Sequence, residues 1–70
     1  MTIQDLINQF EIQGKFCIKE WNEEICDCEV IAIGNDFECD KHNIEKDIME
    51  RKITYMYAID NCLNIEVENV

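Results

Sequence analysis

The chain has 70 residues, of which 47% are hydrophobic, and its sixteen acidic and six basic side chains give a formal net charge of −10. This length predicts one small domain over residues 1–70, and the hydrophobic content excludes a disordered chain. The shortage of Lys and Arg argues against direct binding to nucleic acid or to an anionic membrane, and it favours a basic protein as partner.

The first predicted elements are a helix and a β-hairpin. Thr2 and Asp5 have the spacing of a capping box, and apolar residues at helical spacing predict a helix from about Ile3 to Ile12. Gly14 is then expected to end this helix in a left-handed conformation. The β-branched and aromatic residues of Lys15–Ile33 predict a hairpin that turns at residues 22–24.

The register of the first hairpin decides which side chains face the first helix. A three-residue loop pairs Lys19 with Asp27 and turns five apolar side chains toward the helix: Phe16, Ile18, Cys28, Val30 and Ala32. A four-residue loop is the alternative, and it would place Lys19 on the same face as Cys17 and Val30.

The remaining elements are a short helix and a second hairpin. Residues 35–42 are polar and predict a loop, after which Asn43 caps a short helix that carries Ile44, Ile48 and Met49. A hairpin over Ile53–Val67 turns at Asp60 and Asn61, pairs Thr54 with Val67, and places Met56, Ala58, Leu63, Ile65 and Val67 on one face. The predicted fold is therefore α+β: an N-terminal helix packed on an antiparallel sheet of about four strands, formed by two hairpins with a short second helix between them.

The aromatic residues predict a contact surface. If the first helix covers one face of the sheet, Trp21, Tyr55 and Tyr57 lie on the other face, among carboxylates and Ile25, Ile31 and Ile53. The alternatives are that the second helix covers this face, or that the aromatic side chains are ordinary strand residues partly shielded by their neighbours. The predicted partner-binding residues are Glu20, Trp21, Glu23, Glu24, Asp27, Glu29, Tyr55 and Tyr57, in which the carboxylates would take the place of nucleic-acid phosphates.

The cysteines and the single histidine do not predict a metal site or an enzyme. Five cysteines without an apolar leader before them are typical of a cytoplasmic protein with reduced thiols. Cys26 and Cys28 with Cys39 and His42 could supply four zinc ligands, but Cys-x-Cys within a strand lacks the usual spacing of zinc ligands. With one histidine and no glycine-rich turn, we predict no catalytic residues, no metal and no cofactor.

The segments TIQDLINQF, IKEW and ITYMYAIDNCLNIEV resemble small uncharacterised proteins of low-GC gut bacteria and their phages, which carry no assigned activity. The small size and strong acidity are also similar to phage-borne inhibitors that imitate DNA, including anti-CRISPR proteins. This resemblance implies a non-enzymatic inhibitor that occupies the basic nucleic-acid-binding surface of a host protein, such as a nuclease complex. The alternative is a structural or regulatory protein that forms a homodimer or larger homo-oligomer through its aromatic sheet face.

Overall fold

The computed structural model describes residues 1–68 and has an α+β fold, which confirms the predicted class. Its elements in chain order are α1 (Ile3–Gln9), β1 (Lys15–Asn22), β2 (Asp27–Gly34), α2 (Phe37–Asp40), a 3-10 helix (Lys41–Asn43), α3 (Lys46–Met49), β3 (Ile53–Ile59) and β4 (Cys62–Val67). Residues 69 and 70, which the predicted domain includes, lie outside the described residues.

Within residues 1–68 the four strands form one sheet in the order β2-β1-β4-β3. Each hairpin is antiparallel as predicted, but β1 and β4 pair in parallel, so the prediction of a wholly antiparallel sheet is wrong. The cause is the connection over residues 35–52, which returns along the sheet from the end of β2 to the start of β3. Strand β3 therefore runs in the same direction as β2, and the inner strands of the two hairpins become parallel neighbours.

The helices of the described chain share one face of the sheet. Ile3 and Leu6 of α1, Phe37 of α2 and Ile48 of α3 belong to the same buried core. The sheet contributes Phe16, Ile18, Ile65 and Val67 to this core. The predicted packing of the N-terminal helix on the sheet is confirmed, and the alternative in which the second helix covers the opposite face is wrong.

Helix α1 starts as predicted and ends earlier. The Asp5 N–H donates to Thr2 Oγ1, and the Thr2 N–H donates to Asp5 Oδ2, each at 3.1 Å. The helix ends at Gln9 rather than near residue 12, and Phe10, which would begin the next turn, has an extended backbone and is largely exposed. Gly14 has a positive φ of 94°, but it leads into β1 instead of ending the helix.

The first hairpin has the four-residue loop, so the predicted three-residue loop is wrong. Asn22 pairs with Asp27 and Lys19 with Val30. Asn22 Oδ1 accepts a hydrogen bond of 2.9 Å from the Glu24 N–H, which starts the loop as an Asx turn. A left-handed residue, Cys26 with a φ of 52°, completes the loop.

A β-bulge at Ile31 changes the register again further along β2. Beyond the bulge, Ile18 pairs with Ala32, and Ile31 packs against the core beneath the helices. The predicted inward positions of Phe16, Ile18 and Ala32 are therefore confirmed. The four-residue loop places Cys28 and Val30 on the opposite face, contrary to the prediction.

The segment between the hairpins is more ordered than predicted. Asp36 caps α2 by accepting a hydrogen bond of 3.2 Å from the Glu38 N–H, so the predicted loop is wrong in this part. Phe37 is fully buried, and its ring meets that of Phe16 edge to face at 4.9 Å and 82°. Asn43 belongs to the 3-10 helix and does not cap α3, because the extended residue that precedes α3 is Glu45.

The second hairpin turns as predicted at two residues with positive φ, Asp60 at 52° and Asn61 at 62°. The predicted pairing holds from this turn back to residue 55. A bulge at Thr54 then pairs Ile53 with Val67, so the predicted pairing of Thr54 with Val67 is wrong. The bulge turns Ile53 toward the core, and Thr54 Oγ1 donates to the Glu66 carbonyl at 3.1 Å.

Candidate protein-contact surface

The sheet face opposite the helices, here called the open face, has no helix over it within residues 1–68. The strand pairing assigns thirteen residues to the open face: Lys15, Cys17, Lys19 and Trp21 of β1, Cys28, Val30 and Ile33 of β2, Tyr55, Tyr57 and Ile59 of β3, and Cys62, Asn64 and Glu66 of β4. Five large apolar side chains of this face are exposed: Trp21, Val30, Ile33, Tyr55 and Ile59. An exposed apolar area of this kind is typical of a protein-interaction site.

The centre of the open face is a hydrogen-bonded group around Glu66. Cys28 Sγ donates to Glu66 Oε1 at 3.1 Å, and this hydrogen bond raises the pKa of the Cys28 thiol. A hydrogen bond to the same carboxylate raises the pKa of Tyr57, and Lys19 Nζ lies 6.0 Å from the centroid of the Tyr57 ring. The charged residues of this face are Lys15, Lys19 and Glu66, which sum to +1, so the open face is close to neutral in a chain with a net charge of −10.

Side chains of the open face also cover one another. Cys17 is 6% exposed and Asn64 is 7% exposed, although no helix lies above them in the described chain. Burial raises the pKa of the Cys17 thiol, and Asn64 Nδ2 donates to the Cys62 carbonyl at 3.1 Å. The centre is therefore closely packed, and the exposed apolar side chains form its margin.

The predicted aromatic residues share the open face, but their predicted aliphatic neighbours do not. Trp21, Tyr55 and Tyr57 all lie on the face opposite α1. Ile31 and Ile53 pack against the core because the two bulges turn them inward, and the prediction that they border the aromatic residues is wrong. Ile25, also predicted there, lies in the hairpin loop.

Three of the predicted carboxylates lie on the helix side of the sheet. Glu20 is a neighbour of the buried Val67 and forms an ion pair with Arg51. Glu29 pairs across the strands with Glu20, and its Oε1 accepts a hydrogen bond of 2.9 Å from Asn22 Nδ2. Asp27 lies two pairs further along the same ladder and therefore on the same side, so these three side chains are separated from Trp21 and the tyrosines.

The other two predicted carboxylates lie beside the aromatic residues. Glu23 and Glu24 belong to the loop between β1 and β2, next to the end of β4 and the start of β3. A groove of about 720 Å³, here called the tip groove, is lined there by Trp21, Asn22, Glu23, Glu24, Thr54, Tyr55, Glu66, Val67 and Glu68. The tip groove thus brings together four of the eight predicted partner-binding residues, while Tyr57 lies further along the open face.

Sequence reasoning missed three residues of the exposed margin: Val30, Ile33 and Ile59. The run Val30-Ile31-Ala32-Ile33 has no polar residue at alternate positions. Such a run indicates a strand with apolar side chains on both faces, or a bulge that changes the alternation. This signal could have placed Val30 and Ile33 on the surface.

The potential metal ligands are dispersed. Cys26 lies in the hairpin loop, Cys28 on the open face, Cys39 in α2 and His42 in the 3-10 helix. Among residues 1–68, no group of three or more His, Cys, Asp or Glu side chains is arranged to hold a metal ion. The Cys39 thiol donates to Asp36 Oδ2 at 3.4 Å. This hydrogen bond raises the pKa of the Cys39 thiol and so disfavours its thiolate form.

Comparison with protein-family models, curated protein sequences and solved structures finds no match to this chain. Among the described residues, no helix combines the length and the apolar character that a membrane span requires.

Proposed function

We propose that this chain is a non-enzymatic binding protein that occupies the nucleic-acid-binding surface of a basic protein. In this proposal the chain is a phage or mobile-element factor that inhibits a host nuclease complex. The observation that carries the proposal is the open face, on which exposed Trp21 and Tyr55 adjoin the acidic loop residues Glu23 and Glu24. Aromatic side chains beside an acidic margin suit a partner whose own surface is basic.

The charge distribution supports two separate contributions to binding. The net charge of −10 accelerates the approach of a basic partner over long distances. The open face carries little net charge, so it can be buried without removing many carboxylates from water. A complex of this kind combines rapid, salt-dependent association with contacts made by large apolar side chains.

The proposal is tested by capturing partners from a bacterial lysate on the immobilised protein, at low and at high salt. We expect a captured protein that binds nucleic acid, is released by salt and is displaced by a DNA duplex. Glu23→Lys with Glu24→Lys should slow its association, because charge reversal near the contact reduces electrostatic attraction. Glu11→Lys with Glu45→Lys is the matched control, since both glutamates are exposed and neither lines the tip groove.

Two results would contradict the proposal. One is that every specifically captured protein binds equally well at high salt and in the presence of excess DNA. The other is that the control variant slows association as much as the reversal at the tip groove, which would leave net charge as the sole determinant.

The second candidate function is self-association through the open face. It is favoured by the exposed apolar margin, in which Ile33 is 73% exposed and Val30 54%. Sedimentation equilibrium should then show a mass that rises with concentration, and Ile33→Glu should abolish the rise without unfolding the protein. A monomer at all concentrations excludes this candidate.

A further inference from the structure

The tip groove has aromatic walls on either side of an acidic floor. Trp21 belongs to β1 and Tyr55 to β3, and β4 lies between these strands. One intervening strand separates the two backbones by about 10 Å, which leaves room for a planar group between the side chains. Trp21 is 46% exposed and Tyr55 is 67% exposed, so both rings can contact an incoming group.

The charge lining the tip groove is negative. Glu23, Glu24, Glu66 and Glu68 line it, and the described lining residues include no Lys, Arg or His. Glu66 accepts a hydrogen bond from the Cys28 thiol, whereas the other three carboxylates form no ion pair within residues 1–68. The groove therefore suits a cation that is flat enough to lie against an aromatic ring.

We propose that the tip groove binds the guanidinium group of an arginine side chain of the partner, an inference that rests on the proposed function and specifies its chemistry. Guanidinium is planar, stacks on aromatic rings and donates in a fork to carboxylates, whereas the ammonium of lysine is a compact point charge. The chain itself binds a guanidinium with carboxylates on its helix side, where Arg51 pairs with Glu20 and lies 3.9 Å from Asp47. The tip groove adds two aromatic rings to the same kind of acidic environment.

Trp21 is the single tryptophan of the chain, so its fluorescence reports directly on the tip groove. The probes are acetyl-Gly-Arg-Gly-amide and the same peptide with citrulline, which keeps the shape of arginine and lacks the charge. Each is titrated at low ionic strength into the intact protein. We expect a saturable fluorescence change with the arginine peptide and binding at least about fivefold tighter than that of the citrulline peptide.

Matched variants locate the site. Glu23→Gln with Glu24→Gln should weaken binding of the arginine peptide, and Tyr55→Leu should reduce the preference for arginine over citrulline. Glu11→Gln with Glu45→Gln removes the same charge away from the groove and should leave binding nearly unchanged. Circular dichroism of each variant verifies that the fold is kept, so a loss of binding reports on the groove.

Several outcomes would overturn the inference: equal affinity for the two peptides, no saturable change with arginine, or equal weakening by the control variant. A salt-sensitive partner captured by a protein that does not bind the arginine peptide overturns this inference and leaves the proposed function standing. Arginine-peptide binding without any salt-sensitive partner would instead contradict the proposed function.

Discussion

Replacing Phe37 with alanine tests whether the segment between the hairpins belongs to the folded core. Phe37 is fully buried and packs edge to face on Phe16 at 4.9 Å, so the substitution leaves a cavity and removes an aromatic contact. Phe→Ala changes at buried positions cost about 3–5 kcal/mol, which includes the loss of such contacts. A chain of 70 residues has a free energy of unfolding of about 4–10 kcal/mol, so Phe37→Ala should remove a large part of it.

The assay is urea unfolding at neutral pH, followed by far-UV circular dichroism. Phe10→Ala is the matched control, because Phe10 is 57% exposed and its removal should change the free energy of unfolding by less than about 0.5 kcal/mol. Phe37→Leu should cost about 1.5 kcal/mol and keeps the measurement possible if the alanine variant does not fold. If Phe37→Ala costs no more than Phe10→Ala, the packing of α2 on the sheet is refuted.

Three further predictions concern single side chains. Gly34→Ala places a methyl group against Phe16 Cε1 and 2.5 Å from Asp40 Oδ2, so the urea midpoint should fall, with a cost of about 1–3 kcal/mol; an unchanged midpoint would refute the close approach. The hydrogen bond from the backbone N–H of the helix N-cap lowers the pKa of Asp5 from 3.8, so this stabilisation is present above pH 3.8 and is lost as pH falls through the folded-state pKa. In Asp5→Asn the free energy of unfolding should therefore fall less steeply as the pH is lowered than it does in the unchanged protein. The same pH dependence in both proteins would show that Asp5 does not contribute to stability in this way. Iodoacetamide should modify the exposed Cys26 before the buried Cys17, because burial raises the pKa of the Cys17 thiol. The two rates are measured by mass spectrometry, and equal rates would refute the burial of Cys17.

Local patterns predicted the elements that depend on neighbouring residues. The capping box formed by Thr2 and Asp5 and the turn at Asp60 and Asn61 satisfy nearby backbone groups or tolerate positive φ, so their sequence signal is sufficient. Phe37 has no such signal, because one apolar residue in a polar stretch has no periodicity. Its burial depends on a partner that is distant in sequence.

The candidate site was predictable in part for the same reason. Alternation within the strands placed Trp21, Tyr55 and Tyr57 on the face opposite the first helix. The position of Ile31 and Ile53 depends on bulges, which form because burying each of these side chains compensates for an unpaired residue in the sheet. That balance is set by the assembled core and has no local signature in either strand.

The register of the first hairpin explains how a strongly acidic chain presents a nearly neutral face. The four-residue loop places Asp27 and Glu29 on the helix side, so Lys15, Lys19 and Glu66 are the charged residues that the described strands place on the open face. Carboxylates at the margin stay hydrated while they attract a basic partner, so they do not incur the cost of burying unpaired charge. A contact surface with exposed apolar side chains around a closely packed, nearly neutral centre, and with carboxylates at one end, thus follows from the register of the first hairpin.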